Sequence, residues 1–409
     1  MSIQTNLLRL GLAAGAALAL NLPASAQDVA VRGATVYTMA GEPISDGMVV
    51  IEDGKIAAVG PASSTPVPDG MRVLNAEVVT PGLVDAHSTV GLSGYMNQSD
   101  DQDQLEGSAP IQPELRAIDA YNPKERLVEW VRGLGVTTMH TGHGPGALIS
   151  GQTMVVKTRG NTVDEAVVVP RAMIASNLGS WALESGNKAP GTRSKQIALL
   201  RGALIKAQNS AGAKPKKGEE PPTRDLMVEA MRDVLDRKVP LLVTAFKAQD
   251  ILSALRLKEE FGIDLVIDGA ADAYMVTDQL REAGASVILH PPRARQYGDL
   301  ANASFDTGAK LRDAGIPFAY QSGFEGYVPK TRVVLWEAAV GAANGLGMED
   351  ALKAITIDAA RVIGVGDKVG SLEVGKDGDV AMFNGDPFET SNHVTGVIIE
   401  GVVVSEEPR

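Results

Sequence analysis

Residues 78–92 read VVTPGLVDAHSTVGL. The stretch, rich in Val, Leu and Thr and ending at a glycine turn, reads as a buried strand. The strand delivers one histidine, His87, just before the chain turns at Gly91.

On the N-terminal side, VAVRGATVYTM, GMVVIEDGKIAAVG and MRVLNAEVVT are short strands separated by turns. Asp53-Gly54 supplies the positive φ of a hairpin turn. These strands lack a core of their own and need a partner sheet. The C-terminal stretch 369–404 offers one, with apolar strands between Gly-Lys-Asp-Gly, Asn-Gly-Asp-Pro and Glu-Gly turns. The two chain ends are expected to pair into one β-sandwich flanking the middle.

The middle alternates helix, glycine and strand. Asn122-Pro123 predicts a helix start, and Leu127, Trp130, Val131 and Leu134 share one helix face. The same grammar recurs where LKEEFG runs into IDLVID, LREAG into ASVILH and LRDAG into IPFAY. Short loops joining helices to apolar strands predict a parallel sheet covered by helices, and the number of repeats favours an α/β fold of the (β/α)8 TIM-barrel type. The expected barrel strands are 78–85, 136–140, 153–158, 172–176, 241–246, 265–268, 286–290 and 317–321. The polar stretch 208–223 is expected to be an exposed loop open to proteolysis.

Two anchors resemble the amidohydrolase superfamily, and within it secreted proteins similar to imidazolonepropionase. Pro81-Gly82-Leu83-Val84-Asp85-x-His87 resembles its first-strand pattern PG[LIF][IV]DxHxH. Gly370-Ser371-Leu372 through Gly375-Lys376 to Asp379-Val380 resembles its C-terminal signature. Within the insertion that begins at Asn97, residues 114–123 further resemble the ELRAIDAxNP segment of the secreted relatives. The expected organisation is residues 1–26 as a signal peptide, 27–79 and 365–409 as the two parts of the β-sandwich, and 80–364 as the barrel that the two anchors bracket. The resemblance also implies a metal held at the C-terminal mouth by histidines of the first, fifth and sixth strands and an aspartate of the eighth.

This chain departs from that ligand set. Thr89 stands at the second histidine position of the first strand, Thr244 and Phe246 at those of the fifth, Gly269 at that of the sixth and Gly323 at the aspartate. His87 is the retained ligand, and Lys157 keeps its place in a segment resembling IxGQxxV[IV]K. A catalytic zinc site takes about three protein ligands plus an open position, and glycine and phenylalanine supply none. The expected cofactor is therefore none, or one divalent metal, zinc if any. His140 and His290 are candidate replacement ligands at strand ends, and Thr89, His143, Lys157, Lys247, Asp268 and Glu325 are candidate pocket residues. Two functions follow. One is a catalytically impaired homologue acting as a partner subunit or ligand-binding protein. The other is an active hydrolase of C–N bonds with a site rearranged around His87, His140 and His290. Partners would be a second copy, an active homologue in a hetero-oligomer, or a small molecule.

The net charge of −12 argues against nucleic acid. The absence of cysteine excludes disulfides, thiolate metal sites and cysteine nucleophiles. Arg9, the apolar run 10–22 and Ala24-Ser25-Ala26 predict a secretory signal cleaved after Ala26, export to a periplasm-like space, and no membrane span afterwards. Gly142-His143-Gly144-Pro145-Gly146 lacks the helix start that a phosphate loop needs and reads as a loop at the barrel mouth.

Overall fold

A computed structural model describes residues 28–96, 98–210, 223–290, 292, 297–324 and 334–409. The expected signal segment 1–26, Glu325 and most of the polar loop (211–222) lie outside the described residues. Strands β1 (Val29–Val36), β2 (Ile44–Glu52), β3 (Lys55–Pro61) and β4 (Arg72–Pro81) open the chain. β2 and β3 form the expected hairpin, with Asp53 at φ 48° and Gly54 at φ 77° between Glu52 and Lys55. β4 lies parallel to β1.

The stretch that decides the fold belongs to two domains. β4 ends at Pro81 and the first barrel strand, β5 (Leu83–Ser88), begins two residues later. Gly82 sits at the crossing, where a Cβ would come within 2.2 Å of the Thr137 hydroxyl. β5 pairs in parallel with β6 (Val136–Thr141). The helix before β6 spans Arg126–Gly133 and is capped by the Glu125 carboxylate, which accepts from Leu127 N. It therefore starts three residues later than Asn122-Pro123 predicted, and Asn122 makes a turn to Lys124 N instead.

The third strand departs from the all-parallel expectation. Residues 149–157 split at Thr153 into β7 (Ile149–Gln152) and β8 (Met154–Lys157). β8 runs antiparallel to β6, and also to β9 (Val167–Val169); β7 runs antiparallel to β10 (Ile174–Asn177). A parallel neighbour needs a crossover of about a dozen residues or more. Between β6 and its neighbour β8 lie residues 142–153, of which 149–152 form β7, so no covering helix carries the chain back to a parallel start and it turns back instead. The remaining strands follow the predicted pattern. β10, β11 (Leu241–Ala245), β12 (Leu265–Gly269), β13 (Ser286–Leu289) and β14 (Phe318–Tyr320) are parallel in sequence order. A bridge between Ser88 and Gly323 brings the end of β14 beside β5.

Inside these strands Val84, Ala86, Met173, Leu242, Val266, Ile288 and Ala319 form one buried apolar cluster. It is closed from below by Ala359 and Ala360 of the helix Ile357–Val362. Side chains two residues apart share a strand face. One step further along β11, β12 and β14 stand Thr244, Asp268 and Gln321, all buried. The strand period thus places a polar layer on an apolar floor.

The chain ends with β15 (Val380–Phe383), β16 (Val394–Ile399) and β17 (Val402–Ser405). β15 pairs with β4, giving the order β17-β16-β15-β4-β1-β2-β3. The two ends pair as expected, but as one seven-stranded sheet rather than the two facing sheets of a sandwich. The architecture is a TIM-barrel-type domain joined to a sheet-rich domain.

Candidate functional site

The polar layer centres on Asp268, which is fully buried. Its Oδ1 accepts from His87 Nδ1 at 3.1 Å and Gln321 Nε2 at 2.6 Å, and its Oδ2 accepts from Thr244 Oγ1 at 2.6 Å. Burial pushes this carboxyl up, but His87, Thr244 and Gln321 outweigh it and hold it below the usual carboxylate range. An ionised carboxylate can only accept, so the proton of His87 on this side sits at Nδ1. The opposite nitrogen, Nε2, is buried and has no hydrogen-bond partner among the described residues.

His140 packs beside His87, with ring centroids 5.3 Å apart. Its Nδ1–H donates to the Ala86 carbonyl at 2.7 Å, and Nε2 takes the Thr153 hydroxyl at 2.6 Å. Both nitrogens are therefore committed. Burial first, and His87 second, depress its pKa to about 3, so the ring is neutral. Asp85 lies beneath, accepting from the backbone N of Ser322 at 3.0 Å, from the Ser322 hydroxyl and from His87 N at 3.3 Å. Burial lifts its pKa to about 6 against those bonds.

Aromatic rings cover this layer. Phe324 lies 5.5 Å from the His87 ring and 6.4 Å from the His290 ring, and Trp181 lies 6.1 Å from Phe246 and 6.3 Å from Phe324. Trp181 is 47% exposed. Its loop is held by Asp299, which accepts from Ser180 N at 3.0 Å, and by Gln196, which bonds both backbone groups of Gly179. Gly269 has φ 78°, and a Cβ there would come within 2.7 Å of the Phe246 ring. Gly323 has φ 86°, and a Cβ there would come within 2.5 Å of His290 Nε2.

The structure brings His87, His140 and Asp268 together. His290 reaches the same mouth through Gly323 and Phe324. His143 is buried against Gly151, and burial above all lowers its pKa to about 4. Thr89 accepts from Ser93 at 2.8 Å. Lys247 stands half-exposed at the start of the helix Ala248–Phe261, 3.7 Å from Asp299. Lys157 is not part of this group. Its ammonium is buried 2.9 Å from Asp377 and 2.7 Å from Asp379, at the junction with the sheet domain. The reversed direction of β8 explains this, because its last residue points away from the ends of the parallel strands. Glu325 lies outside the described residues.

These donors do not fit a metal. Among the described residues no group of three or more histidine or acidic side chains is arranged to hold one. Both nitrogens of His140 are hydrogen-bonded, and Asp268 already accepts from three donors.

The sequence profile of the Amidohydrolase family matches residues 313–404. The chain is similar to the amidohydrolase tasK of Hapsidospora irregularis, 25% identical over 92% of this chain, and it spans 43% of that protein's length. It is 26% identical to an imidazolonepropionase of Sphingopyxis alaskensis, over 87% of this chain and 92% of that one. A solved amidohydrolase from Thermotoga maritima superposes with a TM-score of 0.84 at 29% identity, covering 93% of this chain and all of that one. The chain belongs to the amidohydrolase superfamily. A zinc-bound adenosine deaminase from Xanthomonas campestris shares the fold at TM-score 0.55 and 18% identity. Superfamily motifs drew attention to His87 and to the replaced ligand positions, whereas Thr153, Gln321, Ser322, Trp181 and Phe324 were missed. Trp181 and Phe324 carry no motif, Thr153, Gln321 and Ser322 fall within motifs at places to which no role was assigned, and the roles of all five come from segments that meet only in the folded barrel.

Proposed function

We propose that this protein is a catalytically impaired member of the superfamily that binds a small ligand at the barrel mouth without a metal. The observation that carries the reading is the commitment of both His140 nitrogens, beside ligand positions filled by Thr244, Phe246, Gly269 and Gly323. Among the described residues a metal-activated water has no donor set to hold its ion. What remains is a recognition surface. His87 Nε2 offers a buried hydrogen-bonding atom without a partner among the described residues. Trp181, Phe246 and Phe324 offer ring faces above it. Apolar walls with a few placed polar groups are the usual makeup of a small-molecule site.

The same reading takes the barrel strands as one (β/α)8-type ring closed at the Ser88–Gly323 bridge, with β7 and β8 as its reversed member. It takes the chain as exported after cleavage past Ala26, and association with an active relative or a second copy as compatible with this role. Elemental analysis of the mature chain purified without chelators, together with assays on cyclic amides and acyl-amino acids, tests it. Negligible metal and no hydrolysis are expected. About one zinc per chain, with hydrolysis lost in His87→Ala, would overturn it.

A further inference from the structure

The superfamily pattern draws metal ligands from the first, fifth, sixth and eighth strands. In this chain residues at the ends of the same four strands meet at one carboxylate, two of them, His87 and Thr244, at ligand positions of the pattern. Asp268 of β12 is reached by His87 of β5, Thr244 of β11 and Gln321, the residue after β14. We infer that Asp268 replaces a metal as the cross-link of these strands, with the polarity reversed. This rests on the reading of the mouth as metal-free.

The chemistry is complementary. A cation gathers lone pairs; a carboxylate gathers protons. Thr244 stands where the pattern has a histidine and presents an O–H instead of a ring lone pair. Gln321 presents its amide N–H at 2.6 Å. His87 keeps its position but turns its Nδ1–H inward to Asp268. All three partners are buried, at 3% exposure or less, and charge-assisted hydrogen bonds are the strong ones in such surroundings. A cation seated at this point would have to displace three donors from the one carboxylate. The neighbouring position is also closed, because Phe246 occupies the space that any side chain at Gly269 would enter.

The barrel is therefore locked by its own side chains. Thermal unfolding of the mature protein should be the same with zinc chloride, with EDTA and with neither. Asp268→Leu keeps roughly the volume but takes both acceptor oxygens from three buried donors, and should lower Tm by about 4 °C or more. Thr244→Val removes one donor and should lower it by a smaller amount. A second readout separates this hub from general packing. In proton NMR, ring N–H signals from Nδ1 of His87 and of His140 should both persist in the wild type and in Thr244→Val. Asp268→Leu should lose the first and keep the second, whose partner is the Ala86 carbonyl. Should Asp268→Leu not fold, Thr244→Val and Gln321→Leu carry the test through Tm and a shift of the His87 signal. An Asp268→Leu protein melting within about 1 °C of wild type, or Thr244→Val and Gln321→Leu proteins that leave Tm and the His87 signal unchanged, would sink the inference. If this happens in a metal-free, inactive chain, only the inference falls. Zinc raising the wild-type Tm overturns both it and the functional reading.

Discussion

Replacing Lys157 by methionine tests whether this lysine joins the two domains or serves the mouth. Its ammonium is 3% exposed and bonds Asp377 and Asp379, themselves 8% and 2% exposed. Asp377 retains Lys55 at 2.5 Å, and Asp379 retains Glu400 N at 2.9 Å. Methionine preserves the packing of the aliphatic stem and removes the charge. Two buried carboxylates are then left close together, and breaking a buried pair from one side costs about 3–5 kcal/mol. Unfolding entropy near 2.1 cal/mol/K per residue gives roughly 0.8 kcal/mol/K for a chain of this size, so Tm should fall by about 4–6 °C. Calorimetry of the mature chain measures this, with Arg237→Met as the control. Arg237 pairs with Asp264 at an exposed site, where the loss should be about 1 kcal/mol or less. The pH dependence has a definite sign. Burial opposes the charge on Lys157, but Asp379 and Asp377 outweigh it and raise its pKa, so its contribution is complete at neutral pH and fades only as pH rises through that raised value. Asp377 is likewise opposed by burial but held low by Lys157 and Lys55, so its contribution is lost as pH falls through its depressed value. The gap between wild type and Lys157→Met should be flat around neutrality and shrink in acid. An Lys157→Met loss no larger than the Arg237→Met loss would refute the reasoning.

Three further outcomes follow from the mouth. His140 is held neutral with a pKa near 3, so between pH 6.5 and 3 the unfolded chain binds a proton that the native one refuses. Its share of stability should fall by about 2 kcal/mol from neutral pH to pH 5. Asp85, raised to about 6, acts in the opposite direction, so the measurement is the difference between wild type and His140→Gln in denaturant titrations across that range. Restoring the missing aspartate alone, Gly323→Asp, should not recruit zinc. It should destabilise by roughly 1–3 kcal/mol, because φ there is 86° and the Cβ meets His290; stoichiometric zinc uptake by this variant would count against the metal-free hub. Trp181→Ala should leave Tm within about 2 °C of wild type, since the ring is half-exposed and its loop is tied by Gln196 and Asp299. It should abolish any tryptophan fluorescence response to a bound ligand.

The sequence by itself determined the elements. Apolar runs in LLVTA, LVIDG and SVIL could only be buried strands, and glycine-terminated amphipathic helices between them required a helix-covered sheet. The PGLVDAH stretch fixed where the first barrel strand delivers His87, and the replaced ligand positions showed that a metal site would be incomplete. Those features are local, set by side-chain period, turn chemistry and residue type. The direction of the third strand was not legible: reading residues 153–158 as another repeat of the pattern placed Lys157 on the wrong face, and the helix-free return from β6 to β8 shows only in the fold. Only the tertiary structure decided what surrounds Asp268. Its three donors lie 181, 24 and 53 residues away along the chain, and no local pattern relates them. Barrel closure brings those strand ends to one point, and burial there makes each unmet hydrogen bond costly enough to select the arrangement.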